Sequence, residues 1–463
     1  MVDPAVLDRT LETALARGGE WAEVFVEDRT ANSAHLDDGK IEELSSSRER
    51  GAGIRVVVGD STGFAHTSDL SPEGLTAAAR AASSAARSGD GGVRTVALEP
   101  RRHAGSPAPK YRPADVATER KIEALRTADE AARATGDAIG QVSAAYADST
   151  RSIIVANSDG RHVADDQVRT RFMVQCTAIG DTGLQTGFDA PGQTVGFELL
   201  ERHDPAEIAR RAARQALVKL DARPAPTGKT TVVLKRGAGG VLFHEACGHG
   251  LEADLVGRDA SVFKDRIGTR VASPGVNLVD DGTFDTGWGT FAIDDEGNPA
   301  ASNMLIEDGV LSDYMWDAIE ARRRGHAPTG NGRRQSYRHL PMTRMTNTYL
   351  LAGDTDPDDI IASTENGIYC VALSGGSVNT ATGDFVFGIT EAYLIENGVV
   401  TAPIRGANLI GNGPASLRQI DAIGNDFDTW AGTCGKDGQG VPVSSGQPTL
   451  RVNGMTIGGT ASA

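Results

Sequence analysis

Three stretches decide the fold: Val142-Ser-Ala-Ala-Tyr146, Ser152-Ile-Ile-Val155, and Val168-Arg-Thr-Arg-Phe-Met-Val-Gln-Cys-Thr-Ala178. Asp159-Gly160 and Gly180-Asp181 punctuate them. Runs of strand formers separated by Asp-Gly-type turns predict antiparallel hairpins rather than βαβ units. A further strand is expected over 194–198. Helical patterns flank the meander, at about 115–135 and about 204–220. Together they define a central helix-plus-antiparallel-strand domain over residues 113–222. Arg223-Pro-Ala-Pro-Thr-Gly228 then forms the clearest boundary in the chain.

Residues 1–92 read as an N-terminal α/β domain. Leu7, Leu11 and Leu15 recur at helical spacing, with Val6 beside them. Residues 22–27 and 54–58 read as strands, the second running into the turn Gly59-Asp-Ser-Thr-Gly63. Ser71 and Pro72 open an alanine-rich helix through about Arg87, because Ser caps a helix and Pro suits its first turn. Residues 88–113, dense in Gly, Pro and Arg, are the expected linker. Residues 229–463 form a β-rich C-terminal domain around one helix. The expected class is therefore α+β, with mixed, mainly antiparallel sheets.

Composition narrows the function. The chain has 463 residues, 46 Lys plus Arg and 62 Asp plus Glu, for a net charge of −16. Such a balance disfavours nucleic-acid binding, which needs a clustered basic surface. No apolar run is long enough to span a bilayer, and residues 1–21 lack the pattern of a secretory signal. Four cysteines (Cys176, Cys247, Cys370 and Cys434) do not make a disulfide framework, so a reduced, cytoplasmic setting is expected. Glycine is abundant, at 56 residues.

The chemistry lies in Val241-Leu-Phe-His244-Glu245-Ala-Cys247-Gly-His249-Gly-Leu-Glu252-Ala-Asp254. Two imidazoles with a Glu after the first suit a hydrolytic metal site, in which the carboxylate takes a proton from water. The spacing is unusual. At i and i+5 on a regular helix the two rings would lie about 140° apart and could not face one ion. One inserted residue, a π-bulge, restores a common face, so irregular backbone is predicted over 246–250. Gly248 and Gly250 would ease that distortion.

Catalytic zinc takes three protein ligands, and the third stays open among Cys434, Cys247, Glu252, Asp254, His326 and His339. Cys434 sits among glycines in Trp430-Ala-Gly-Thr-Cys434-Gly-Lys-Asp-Gly-Gln-Gly440, with Lys436 near enough to favour a thiolate. Cys247, Cys176 and Cys370 read as packing residues.

Four passages together resemble the TldD/PmbA (TldD/TldE) peptidase family. They are the stretch 244–254, Gly332-Arg-Arg-Gln-Ser-Tyr-Arg-His339-Leu-Pro341, Arg344-Met-Thr-Asn-Thr-Tyr349, and Gly432-Thr-Cys434-Gly-Lys-Asp-Gly-Gln-Gly-Val-Pro-Val443. Arg50-Gly-Ala-Gly-Ile-Arg-Val56 adds a strand typical of its N-terminal region. The family pairs a metal-bearing TldD subunit with a TldE (PmbA) subunit lacking the metal motif, and this chain resembles the TldD type. The resemblance implies Zn2+ held by His244, His249 and Cys434, with Glu245 as general base. It also implies cleavage of extended or unfolded peptides and a TldE/PmbA-like partner in a heterodimer, a homodimer being the other arrangement.

His339, Tyr337 and Tyr314 are candidates for the oxyanion donor. Two rival functions remain: a tailoring hydrolase acting on a small amide or modified peptide, and a non-catalytic regulatory subunit. Gly237-Ala-Gly-Gly240 lacks the ending of a phosphate loop and reads as a tight turn feeding the motif. The acidic runs at 280–282 and 294–297 lack a calcium-loop pattern. Arg322–Arg324, Arg333 and Arg334 read as an exposed face or as a site for an acidic group.

Overall fold

A computed structural model of the chain describes residues 2–86, 98–101, 103, 105–237 and 240–459. The glycine-rich start of the expected linker, 88–92, lies outside the described residues, as do Ala238 and Gly239 of the tight turn. The architecture is α+β, with mainly antiparallel sheets.

One eight-stranded sheet draws on both the N-terminal and the central regions. Its order is Ser61–Thr67, Lys40–Val58, Trp21–Asp37, Ile139–Asn157, Arg161–Gly180 and Glu99–Pro100, with Gly183–Asp189 and Gly192–Gln193 also paired to Arg161–Gly180. Alternation along Trp21–Asp37 sets its two faces. Ala22, Val24 and Val26 pack beneath the helices Pro4–Leu15 and Pro72–Ala85. Ala34 and Leu36 continue the same face beneath Thr118–Arg133 and Pro205–Val218. Three of these helices begin as their sequences dictate. Asp3, Ser71 and Asp204 each accept a backbone N–H from the first turn, and a Pro follows each.

Several strands run longer than expected. Residues 142–146 and 152–155 belong to one 19-residue strand, Ile139–Asn157. Its polar middle looks like a turn in sequence, yet Asp148 pairs across to both Asn32 and Thr170. Polar side chains there find partners: Lys121 donates to Asp148 at 2.7 Å, and Arg151 donates to Glu27 and Asp295. The strand expected at 194–198 does not form. Pairing stops at Gln193, and the chain turns into the short helix Leu199–Arg202, with Glu198 accepting the backbone N–H groups of Lys110 and Tyr111.

The sheet's other face meets the C-terminal region. Phe25, Ile153, Val155 and Val163 pack there on Ile293 and Tyr337. Glu23 and Glu27, whose alternation mimics a solvated face, are fully buried in this contact. Arg55 bridges Glu23 at 3.0 Å and Glu296 at 2.6 Å, and Arg334 also binds Glu23. Arg151 joins Glu27 to Asp295.

Two sheets build the C-terminal region. In the first, Asn366–Asn379, Gly228–Leu234, Leu450–Gly459, Ala407–Asn412 and Asp384–Glu396 pair in turn, and pairing of the first with the last closes a ring. The second runs Val310–Leu311, Ser302–Glu307, Leu278–Asp281, Asn347–Leu350, Gln439–Gln447 and Asp428–Lys436. Leu242, Phe243, Ala246, Cys247 and Leu251 share one core with Val232 and Leu234 of the ring and Leu278, Leu350 and Val443 of the other sheet. The motif is thus wedged between two sheets.

Removing one member of the buried ionic cluster leaves uncompensated charge. Arg55→Met is expected to destabilise the chain by about 3–5 kcal/mol by stranding Glu296 and leaving Glu23 to Arg334 alone. A denaturant midpoint unchanged from wild type would show that the cluster is not what holds this contact.

Candidate metal centre

The motif begins with one α-helical turn at Val241–Phe243. The backbone then widens: the N–H of His249 donates to the carbonyl of His244, making a π turn over His244–Gly248. A 3-10 turn, His249–Leu251, follows, and Glu252 leaves in extended conformation. The irregular backbone predicted over 246–250 is present. The wide turn takes up the single residue by which the histidine spacing overruns a helical turn.

The glycines act differently from expectation. Gly248 has φ −52°, so it needs no special backbone freedom. A Cβ on it would lie 2.3 Å from Met345 Sδ, and a Cβ on Gly413 would lie 1.9 Å from the carbonyl oxygen of Ala246, inside the π turn. These glycines let neighbouring chain close on the distorted segment.

Both histidine Nε2 atoms turn to one sulfur. His244 Nε2 lies 3.2 Å and His249 Nε2 3.4 Å from Cys434 Sγ. The ring planes stand 84° apart, with centroids 4.9 Å apart. All three residues are buried, and their ligand atoms lie within 4.8 Å of one another. Two imidazole nitrogens and a thiol sulfur with no other hydrogen-bonding partner among the described residues make a donor set that fits a metal ion of zinc's type.

Cys434 is carried by a strand, not by the loop its glycines suggest. Asp428–Lys436 pairs antiparallel with Gln439–Gln447, placing Cys434 opposite Val441. Asp437 and Gly438, both at positive φ, make the two-residue turn. The buried Arg344 donates to the Cys434 carbonyl oxygen at 2.5 Å.

Behind His249 stands a charged relay. His249 Nδ1 lies 3.0 Å from Glu252 Oε2, which fixes the ring with Nε2 toward the sulfur. Lys436 Nζ donates to Glu252 at 2.9 Å and to Asp254 at 2.7 Å. Burial would raise Glu252, but Lys436 and His249 outweigh it and bring the carboxyl down to about 2. Burial pushes Asp254 up to about 6 despite Lys436. The Cys434 thiol falls well below its usual range: burial opposes this, and the adjacent His244 and His249 outweigh burial. Lys436 is engaged by the two acids, so the histidines, not the lysine expected from sequence, favour the thiolate.

Other candidates lie elsewhere. Cys247 donates to the Phe243 carbonyl, and burial raises its thiol to about 12. His326 stacks on Trp316, and His339 hydrogen-bonds Ser336. The Tyr314 hydroxyl donates to Phe263, and Tyr337 packs against Phe25. None of these residues lines the cleft over the cluster. That cleft, of about 890 Å³, is lined by His244, Glu245, His249, residues 430–437 and residues 372–378. Glu245 is half-buried, and burial raises its carboxyl. Sequence reasoning missed the supporting parts of Glu252 and Arg344. It also missed the hairpin, although Asp437-Gly438 is a strong turn signal.

An α+β fold that wedges a distorted helix between two sheets, with a His-His-Cys cluster and a free carboxylate facing a cleft, defines a protein built around a metal-type centre. Three models of the PmbA/TldA metallopeptidases match the chain: domain 1 over residues 22–86, the central domain over 111–220 and the C-terminal domain over 227–459. A Haemophilus influenzae protein named Metalloprotease TldD homolog is 40% identical over 96% of this chain and 94% of its own length. Among solved structures, a putative modulator of a DNA gyrase from Thermotoga maritima aligns with TM-score 0.82 at 21% identity, covering 98% of this chain and 99% of that one. TldE from Thermococcus kodakarensis aligns with TM-score 0.80 at 20% identity, covering 98% and 100%. The chain belongs to the TldD/PmbA metallopeptidase family.

If close approach of Gly413 holds the π turn in place, Gly413→Ala is expected to disturb it. The variant should fold with a lower melting temperature and bind added Zn2+ more weakly than wild type. Wild-type values for both would show that the turn is set by its own sequence.

Proposed function

We propose that the chain is a zinc-dependent peptidase that hydrolyses amide bonds in extended or unfolded peptides. The observation that carries this reading is the convergence of His244 Nε2, His249 Nε2 and Cys434 Sγ beneath a cleft that Glu245 also lines. These three side chains would hold the ion, and three protein ligands are the number found in catalytic rather than structural zinc sites. Bound there, zinc supplies Lewis acidity, which polarises a carbonyl and makes water a stronger acid. Glu245 accepts a proton at its carboxylate and returns it to the leaving amine. The raising of its carboxyl by burial suits a group that must do both. Glu252, fixed by Lys436, keeps the His249 tautomer with Nε2 toward the cluster.

Extended substrates are favoured by the cleft's wall. Asp428–Lys436 ends its sheet, paired on one side with Gln439–Gln447, and residues 430–437 line the cleft. A peptide laid along that edge would bind through its own backbone groups. The four cysteines are all free, in keeping with work in the reducing cytoplasm. A TldE/PmbA-like chain is the partner subunit of this reading, supported by the shared fold of TldE.

Glu245→Gln, assayed with a peptide library beside metal analysis, is expected to keep wild-type zinc while losing hydrolysis by about a hundredfold or more. Turnover near wild type would remove Glu245 from the reaction. Cys434→Ser should lose much of the zinc; unchanged stoichiometry would place the third ligand elsewhere.

A further inference from the structure

A second cavity, of about 360 Å³, lies between the N-terminal sheet and the C-terminal region. Six arginines line it (Arg29, Arg151, Arg169, Arg171, Arg333 and Arg334), against three acids, Asp148, Asp294 and Asp295. In a chain of net charge −16 this local excess runs against the whole.

The three acids do not balance the arginines. Asp148 is held by Lys121 at 2.7 Å. Asp295 takes Arg151 at 2.8 Å and the backbone N–H of Arg334. Asp294 accepts the backbone N–H groups of Glu296, Asn298 and Gly332, and burial pushes it up to about 7.

Two buried guanidiniums form no ion pair among the described residues, although Asp165 and Asp295 attract Arg169, and Asp295 and Asp280 attract Arg333, from further off. Arg169 donates to the carbonyls of Trp288 and Thr290 and to the side chain of Gln167. Arg333 donates to the carbonyls of Met345 and Pro442. They are 6% and 4% exposed, far below what an unpaired charge tolerates at little cost. Burial, with Arg333 and Arg151 close by, lowers Arg169 to about 9. Further donors lack any acceptor among the described residues: Nε and Nη1 of Arg334, which is 1% exposed, Nη2 of Arg151 and Nε of Arg171. Buried guanidiniums that outnumber the acids in the cavity wall, several with unused donors, suit the paired oxygens of a carboxylate or phosphate.

We propose that this cavity binds a small ligand bearing a carboxylate or phosphate group, at a site separate from the His244–His249–Cys434 cluster. The two sites share a wall. Thr433 and Arg171 line both cavities, and Gly440, Val441 and Pro442 of the Cys434 hairpin face the arginines. An occupant would therefore touch the hairpin that carries Cys434.

The test titrates the full-length chain with inorganic phosphate and, separately, with succinate, against sodium chloride at matched ionic strength, by calorimetry and thermal shift. The two arms distinguish the phosphate source from the carboxylate source. Wild type and His244→Gln are both expected to bind at least one of these anions, since the cluster is not the site. Arg169→Met should weaken binding by about tenfold or more through loss of a buried charged fork. Arg29→Gln, at a half-buried arginine in the same lining, keeps the test sharp should Arg169→Met fail to fold, and is expected to weaken binding about threefold. Neither anion binding better than chloride would overturn the proposal. So would binding lost in His244→Gln, or binding unchanged in the folded arginine variants.

Discussion

One backbone hydrogen bond, from the N–H of His249 to the carbonyl of His244, governs the arrangement of the site. An ordinary helical bond would join residues four apart and would send the two imidazoles to different sides. By spanning five, it directs both Nε2 atoms to the same sulfur. The turn has a cost in regularity, and the surroundings offset it. Core residues on either side of it are anchored in two sheets, and Gly413 brings its backbone against the Ala246 carbonyl where any side chain would collide. Glu252 emerges just after the distortion, so the same irregularity that aligns His249 also delivers the acid that orients it.

The parts of this structure legible in the sequence were those set by local chemistry. Ser71, with its following Pro, marks a helix start that the structure keeps, and the spacing of Leu7, Leu11 and Leu15 marks another helix. The distortion at the histidines was also readable, because a spacing of five is incompatible with a regular helix if both rings serve one point. What escaped was decided by partners distant in the chain. Glu23 and Glu27 alternate with apolar residues and look like a wet face, but Arg55, Arg334 and Arg151 arrive from elsewhere to bury them. The middle of Ile139–Asn157 looks like a turn for the same reason. Cys434 was singled out by its composition, yet its strand was hidden because four glycines within 432–440 speak for loop unless the pairing with Gln439–Gln447 is known.

Charge is organised on two scales. The chain as a whole is acidic, while arginine is concentrated inside, where the first sheet meets the C-terminal region. Part of that arginine is matched by Glu23, Glu27 and Glu296 and works as an ionic seam between regions. The remainder, Arg169 and Arg333 above all, is tied only to carbonyl oxygens and amides. The first group holds the regions together; Arg169 adds two hydrogen bonds across the same boundary, to the Trp288 and Thr290 carbonyls, while Arg333 bonds within the C-terminal region. Arg344 stands between these uses, spending its donors on the carbonyls of Cys434 and Gln439 and so stiffening the hairpin from behind.

The Asp437-Gly438 turn makes the hairpin a parity device. Side chains along a strand alternate between faces, so shifting the chain by one residue would swap Cys434 with Thr433 or Gly435. Only Gly435 and Lys436 separate Cys434 from the turn, which leaves almost no length over which such a slip could be absorbed. Descendants of this chain can therefore lengthen the arm between Cys434 and its turn only in steps of two. An odd insertion would turn the sulfur to the arginine side of the wall, even if every residue of the helical motif were kept.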